Sequence, residues 1–254
     1  MSKEGYADAH CHLTPPWFTL EQVEKVVKEC STAKVNIIIN SAIMPENYEF
    51  GLKTELLPSI FLTVGLDYSV YSDNTIKNFK EFVMKHKSKI KAIGEIGLDH
   101  HWVKDSNEQK NQAKYFAILS EFAIENNFPL VIHSRKAEQE AINILKDLEA
   151  EKVLMHCFDG NEEELKEIID NDWYVSVPTS AVYRKRYMKR TKLIPIEQLM
   201  LETDSPFHSL KHGENNTPCS IPILVRHLAK FLEIEEKDVQ NQTTKNVKKF
   251  YLGN

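Results

Sequence analysis

Cysteine is sparse in this chain and falls in no pairing pattern. Cys11, Cys30, Cys157 and Cys219 are scattered without a C-x-x-C among them, which argues against a disulfide framework and against a zinc ribbon. They are expected to be reduced and mostly buried. Glycine is scarce as well, 8 in 254 residues, and no G-x-G-x-x-G occurs, so the phosphate loop of an open, doubly wound nucleotide-binding sheet is missing. No apolar stretch approaches the roughly 18 residues of a membrane span, and the start, MSKEGYADAHCHL, lacks the apolar run and cleavage site of a secretory signal. These absences predict a cytoplasmic protein with no membrane partner. No linker or low-complexity tract divides the sequence, so residues 1–254 are expected to form a single domain. Positive charge is not in excess either. A net charge of -5 gives no global attraction to a polyanion, and any nucleic-acid contact must come from a local basic patch.

Apolar material is ample, 42% hydrophobic against 27% charged, and its arrangement is regular. Eight short, β-branched runs stand between polar or turn residues: YADAHCHL from residue 6, VNIIINSAI from 35, IFLTVGLD from 60, IKAIGEIGL from 90, PLVIHS from 129, KVLMHCF from 152, WYVSVPTS from 173 and QLMLETD from 198. They are too brief for helices and read as strands. Between them lie stretches such as LEQVEKVVKECSTA, IKNFKEFVMKHKSK and EEELKEIIDND, with apolar residues at steps of three and four. Strand then helix, eight times over, predicts a (β/α)8 barrel rather than the open sheet. The last stretch, IPILVRHLAKFLEIEEKDVQNQTTKNVKKFYL, reads as two helices that close the barrel.

The metal-capable side chains fall at strand ends. Asp8, His10 and His12 are two apart in the first run, so alternation points them one way and Ala9, Cys11 and Leu13 the other. Glu95 lies in GEIGLD of the fourth run, His133 in VIHSR of the fifth, His156 in LMHCFDG of the sixth and Asp204 in LETDSP of the eighth. In a barrel those ends converge at the C-terminal face, where catalytic groups sit. Two acids and four imidazoles in a partly dry pocket satisfy one another poorly, and a divalent cation resolves the conflict. Nitrogen and carboxylate donors without thiolate suit zinc or manganese and shade toward magnesium. Six ligands exceed the needs of one tetrahedral ion, so two ions sharing Glu95 are expected, with a water between them made acidic.

Taken together, DAHCHL, GEIGLD, PLVIHSR, MHCFDG and ETDSP resemble the TatD family of metal-dependent deoxyribonucleases, and the resemblance runs to TTKNVKKFYL at the end. It implies a TIM barrel of the amidohydrolase-like kind that hydrolyses phosphodiester bonds in DNA. Carried over by position, it implies that His10, His12, Glu95 and Asp204 hold one ion and that Glu95, His133 and His156 hold the other. Asp204 would also orient or deprotonate the attacking water. Departures occur in the loops. VGLDYS places Asp67 and Tyr68 where the family has histidine and proline, HCFDG adds Asp159, and NNTP (Asn215, Asn216, Pro218) replaces an element that carries arginine.

Other residues have competing readings. Arg135, directly after the metal-strand segment VIHS, is a candidate for binding substrate phosphate, against an exposed salt bridge. YRKRYMKRTK, residues 183–192, is either a grip on a nucleic-acid backbone or a solvated helix face. Asp8 is expected to orient a ligand, Cys11 and Cys157 to be core residues, and His100, His101 and His208 to be surface histidines near the rim. Trp17, Phe18 and Trp102 are read either as base-stacking or as loop packing. A monomer or weak oligomer is expected. The alternatives to a DNase are a related barrel hydrolase of a small ester, amide or lactone, and a metal-binding scaffold without catalysis. Glu95 stands where many of the former carry a carbamylated lysine.

Overall fold

The protein is described here by a computed structural model, which covers residues 5–253; the segment read above for a secretory signal lies partly outside them. Each apolar run forms a strand where the sequence places one. The strands are β1 (Tyr6–Cys11), β2 (Val35–Ala42), β3 (Ile60–Val64), β4 (Ile90–Asp99), β5 (Leu130–Arg135), β6 (Val153–Met155), β7 (Tyr174–Pro178) and β8 (Leu199–Glu202). They pair in parallel in sequence order, and hydrogen bonds bring the two edges together: Asp204 N–H donates to the His10 carbonyl at 3.0 Å and His12 N–H to the Ser205 carbonyl at 2.7 Å. The result is a (β/α)8 TIM barrel.

Seven helices alternate with the strands: α1 (Leu20–Thr32), α2 (Tyr48–Thr54), α3 (Asp73–Lys85), α4 (Ser106–Glu125), α5 (Glu138–Asp147), α6 (Glu162–Asp170) and α7 (Lys185–Thr191). Local chemistry sets several starts. Thr19 with Gln22, Ser72 with Thr75 and Asn161 with Glu164 form reciprocal caps, and the Asp105 carboxylate accepts two N–H groups at the head of α4. Two helices follow β8, α8 (Ile221–Leu232) and α9 (Glu236–Leu252).

The last of these does not join the outer ring in the ordinary way. Val247, Phe250 and Tyr251 of α9 pack with Ala7, Ala9, Ile37, Ile39, Ala92, Val131, Leu154 and Met200, and so close the end of the barrel where the strands begin. Polar side chains fasten this plug: Tyr251 Oη donates to the Ala9 carbonyl at 2.9 Å and Thr244 Oγ1 to the Gly5 carbonyl at 3.0 Å. The simple alternation expected for β1 is broken here. Ala9 belongs to this inner cluster, whereas Cys11 and Leu13 pack with Val23, Val26 and Cys30 of α1. A register irregularity between Asp8 and Cys11 accounts for the change of phase. No helix among the described residues is long and apolar enough to cross a membrane.

Candidate metal centre

At the opposite end the strands deliver polar side chains to one point, and Glu95 is its hub. Its Oε2 lies 3.2 Å from His10 Nε2 and 3.2 Å from His12 Nε2, which are themselves 3.2 Å apart. Its Oε1 faces the other side, 2.9 Å from His133 Nδ1 and 3.4 Å from His156 Nε2. Asp204 Oδ1 closes the first group, 3.4 Å from His12 Nε2 and 3.9 Å from His10 Nε2. Ligands bound tetrahedrally at about 2.0 Å stand roughly 3.3 Å apart, so the triangle of two imidazole nitrogens and one carboxylate oxygen has the edge such an ion requires. All six sequence-predicted metal residues are thus brought together from β1 and the residue just after it, from β4 and β5, and from the loops that follow β6 and β8.

Neighbouring groups hold these side chains in place. Glu95 sits within β4 rather than at its end, and its backbone is clamped by Ser41, whose Oγ donates to the Gly94 carbonyl at 2.9 Å and accepts the Glu95 N–H at 3.1 Å. A Cβ at Gly65 would overlap the Glu95 backbone, and one at Gly97 would overlap the His133 carbonyl, so glycine at both positions allows the close approach of adjacent strands. His12 Nδ1 lies 3.2 Å from the Ser41 carbonyl and His133 Nε2 lies 3.1 Å from Asp99 Oδ2. A proton on each of those nitrogens leaves the opposite nitrogen as a lone pair aimed at the centre. Asp99 is itself fixed by the N–H groups of His101 at 2.8 Å and Trp102 at 2.9 Å.

The electrostatics call for positive charge. Burial opposes protonation of His12, yet hydrogen bonds to Asp204 and Glu95 raise it to about 10. Burial likewise opposes His133, which its bonds to Asp99 and Glu95 bring to about 9. His156 is raised well above the ordinary range against burial by the Glu95 and Glu202 charges. Burial alone would raise both acids, but His156 and the imidazole hydrogen bonds hold Glu95 well below its usual value, and His12 holds Asp204 at about 2. Without a cation the acids draw protons onto the imidazoles; a divalent cation meets the same demand and releases them. His10 Nδ1, His156 Nδ1 and Glu202 Oε1 are buried without a hydrogen-bond partner among the described residues. The last two lie only 3.5 Å apart, without the geometry of a hydrogen bond.

Some expectations need correction. His208 is not a surface histidine: it is largely buried, with Nδ1 2.8 Å from Ser180 Oγ and Nε2 3.8 Å from Asp204 Oδ2. Cys157 is not a core residue but half-buried beside it. Asp8 accepts the N–H groups of His10 and Thr203 and the Thr203 hydroxyl, so it ties β1 to the loop after β8 through backbone rather than through a ligand's ring. The basic segment is not a free grip, because Arg186 and Arg190 pair with Asp159 at 2.7 and 3.1 Å and Tyr187 is buried. Asp67 caps its own turn by accepting from Ser69. Asn216 anchors the loop after β8, donating to Thr179 Oγ1 and to the Thr203 and Phe207 carbonyls at 2.8–2.9 Å.

Sequence reasoning missed Asp99 and Glu202, and it gave no role at the site to Tyr68, whose ring stacks on His133 with centroids 5.9 Å apart. Arg135 is exposed, with its guanidinium 5.6 Å over the Trp102 ring. Trp17, Trp102, Tyr183 and Phe207 are 41%, 67%, 40% and 45% exposed. All four are in loops that follow strand ends, and they form an aromatic rim around the mouth. Phe18 instead packs against the α1 cluster.

The family described as TatD related DNase matches residues 7–252. An uncharacterized metal-dependent hydrolase of Methanocaldococcus jannaschii is 30% identical over 99% of this chain and 98% of its own. Deoxyribonuclease TATDN3 of Homo sapiens is 29% identical over 97% of this chain and 94% of its own. The crystal structure of the TatD homologue YJJV from Escherichia coli superposes with a TM-score of 0.89 at 22% identity, covering 97% of this chain and 98% of that one. Fold, sequence match and clustered metal-type ligands lead to one conclusion: this chain is a metal-dependent hydrolase and belongs to the TatD-related DNase family.

Proposed function

We propose that residues 1–254 act as one hydrolase domain that cleaves phosphodiester bonds in DNA with two divalent cations. His10, His12, Glu95 and Asp204 would hold one ion, and Glu95, His133 and His156 would hold the other. The observation that carries this reading is the division of the Glu95 carboxylate, one oxygen facing His10 and His12 and the other facing His133 and His156. Nitrogen and oxygen donors without sulfur suit magnesium, manganese or zinc. When bound, such ions supply Lewis acidity and make a coordinated water acidic near neutral pH.

The chain's own residues do the remaining work. Asp204, held at the seam by its N–H bond to the His10 carbonyl, orients the attacking water and accepts its proton. Arg135 meets a substrate phosphate at the mouth, its side chain stiffened by contact with Trp102. Trp17, Trp102, Tyr183 and Phe207 offer flat faces on which unstacked bases lie, an arrangement that tolerates any sequence. DNA as substrate is supported by that rim, by the family's description and by the name of the human relative. A monomer or weak oligomer suffices, because all six ligands come from one chain.

The test is hydrolysis by protein loaded with magnesium, manganese or zinc in turn, offered single-stranded DNA, RNA, a generic phosphodiester and a carboxylic ester. Cleavage of DNA that disappears on chelation is expected. Turnover of the ester with DNA left intact would overturn the assignment in favour of a small-molecule hydrolase.

A further inference from the structure

Two of the four cysteines lie against each other where α1 meets the segment that follows β8. Cys30, near the end of α1, and Cys219, in the turn Pro218–Ser220 that leads into α8, have their sulfurs 3.0 Å apart although 189 positions separate them in the chain. The other two are engaged elsewhere: Cys11 Sγ donates to the Ile39 carbonyl at 3.3 Å, and Cys157 Sγ faces the Tyr187 hydroxyl at 3.5 Å. A disulfide bond is about 2.05 Å long, so the Cys30 and Cys219 side chains need to close about 1 Å between them to form one. The backbones already run side by side, because α1 packs directly on that turn.

The surroundings make the two sulfurs unequal. Cys30 is fully buried among Cys11, Leu13, Val23 and Val26, whereas Cys219 is half-buried at the border of that cluster. A hydrogen bond from Cys30 holds the Cys219 thiol below the ordinary cysteine range, at about 7, against the effect of burial, and a hydrogen bond from Thr217 adds to it. The same bond and burial push the Cys30 thiol up. Near neutral pH the more accessible sulfur is therefore the one with thiolate character, which is the reactive form of cysteine. The turn that carries it continues the loop after β8, whose Asn216 donates to Thr179 Oγ1 and to the Thr203 and Phe207 carbonyls.

We propose that Cys219 and Cys30 form a reversible oxidation site, a dithiol that hydrogen peroxide converts into a disulfide clasp between α1 and the segment after β8. The Cys219 thiolate attacks one peroxide oxygen, the O–O bond breaks, a sulfenic acid forms, and the departing hydroxide takes a proton to become water. The Cys30 sulfur then attacks the Cys219 sulfur. The S–S bond forms as the sulfenic oxygen leaves with the Cys30 proton as a second water, so the two sulfurs give up two electrons and the peroxide accepts them. A dithiol reductant reverses the change by thiol–disulfide exchange. Because the closed loop spans 189 positions, the bond restricts the unfolded chain strongly and so stabilises the joined segments.

Treatment of the reduced, full-length protein with a small excess of hydrogen peroxide tests this directly. Thiol titration of the denatured product is expected to fall from four per chain to two, and peptide mapping without reductant is expected to show one pair of peptides joined through Cys30 and Cys219. A dithiol reductant should restore all four thiols. The oxidised protein should unfold about 5 °C above the reduced one, and neither Cys30→Ser nor Cys219→Ser should show that gain. In Cys30→Ser, where the hydroxyl still donates but cannot resolve the intermediate, a 1,3-diketone should trap a sulfenic acid at Cys219. Four thiols surviving the peroxide, a joined pair other than Cys30 with Cys219, or an unfolding midpoint unmoved by oxidation overturns the proposal. Peptide mapping needs only the wild-type chain, so poor folding of a serine variant does not blunt the test. None of these readouts depends on metal or on hydrolysis, so failure here is distinguishable from failure of the DNase assignment.

Discussion

The two ends of this barrel are built from the same eight strands and have opposite chemistry. At the end where the strands begin, alanine, isoleucine, valine, leucine and methionine meet Phe250 and Tyr251 of α9, and burial stabilises by roughly 25 cal/mol for each Å² of apolar surface removed from water. At the mouth, six acids and imidazoles are drawn within 2.9–3.9 Å of one another, an arrangement that destabilises the protein unless protons or cations balance it. The difference teaches that stability and chemistry are separated along each strand: the first residues hold the barrel shut and the last ones create a demand for metal.

Substitutions at the two ends should therefore fail in different ways. Glu95→Ala is expected to have the largest effect, removing both ions at once and with them measurable hydrolysis, whereas His156→Ala should release mainly one. Elemental analysis of the purified variants checks this, and equal losses would break the bridging role. Next in size, Asp204→Asn should slow hydrolysis by about 10³-fold at saturating metal with little change in thermal midpoint; near-normal turnover would remove Asp204 from the chemistry. At the floor, Phe250→Ala should destabilise by about 3 kcal/mol in denaturant titration, with metal content per folded chain unchanged. Loss of metal without loss of stability in that variant would erase the distinction between the ends. The smallest effect is expected from Arg135→Ala, a several-fold rise in KM, about 1 kcal/mol, with kcat nearly kept. A fall in kcat at constant KM would place Arg135 at the reacting atoms instead.

What could be read in advance follows the same division. The strands were legible because each is a short apolar run bounded by polar or turn residues, and a parallel strand buried on both faces writes that pattern directly. The six clustered residues were legible because strand ends in a barrel must converge, whatever the details of the loops. His208 was not, since its position depends on the path after β8, which is set by the amide of Asn216 reaching Thr179, Thr203 and Phe207. Nor was the pairing of Arg186 and Arg190 with Asp159, for a run of like charge carries no mark of its distant partner. The phase change in β1 arises from a local irregularity against β2, a relation between strands that neither sequence displays alone.

The seam between the first and last strands has a consequence for how the chain matures. Asp204 and His10 are joined by a backbone hydrogen bond across 194 positions, and Thr203 grips Asp8 beside it. The pair of ligands that meets there belongs to the first and the last strand segments of the barrel. During translation, His10 and His12 must wait with a half-made pocket until the eighth strand leaves the ribosome and docks. An interrupted or truncated product that stops short of β8 therefore carries every imidazole of the centre yet lacks the Asp204 carboxylate, so the site stays incomplete until the barrel closes.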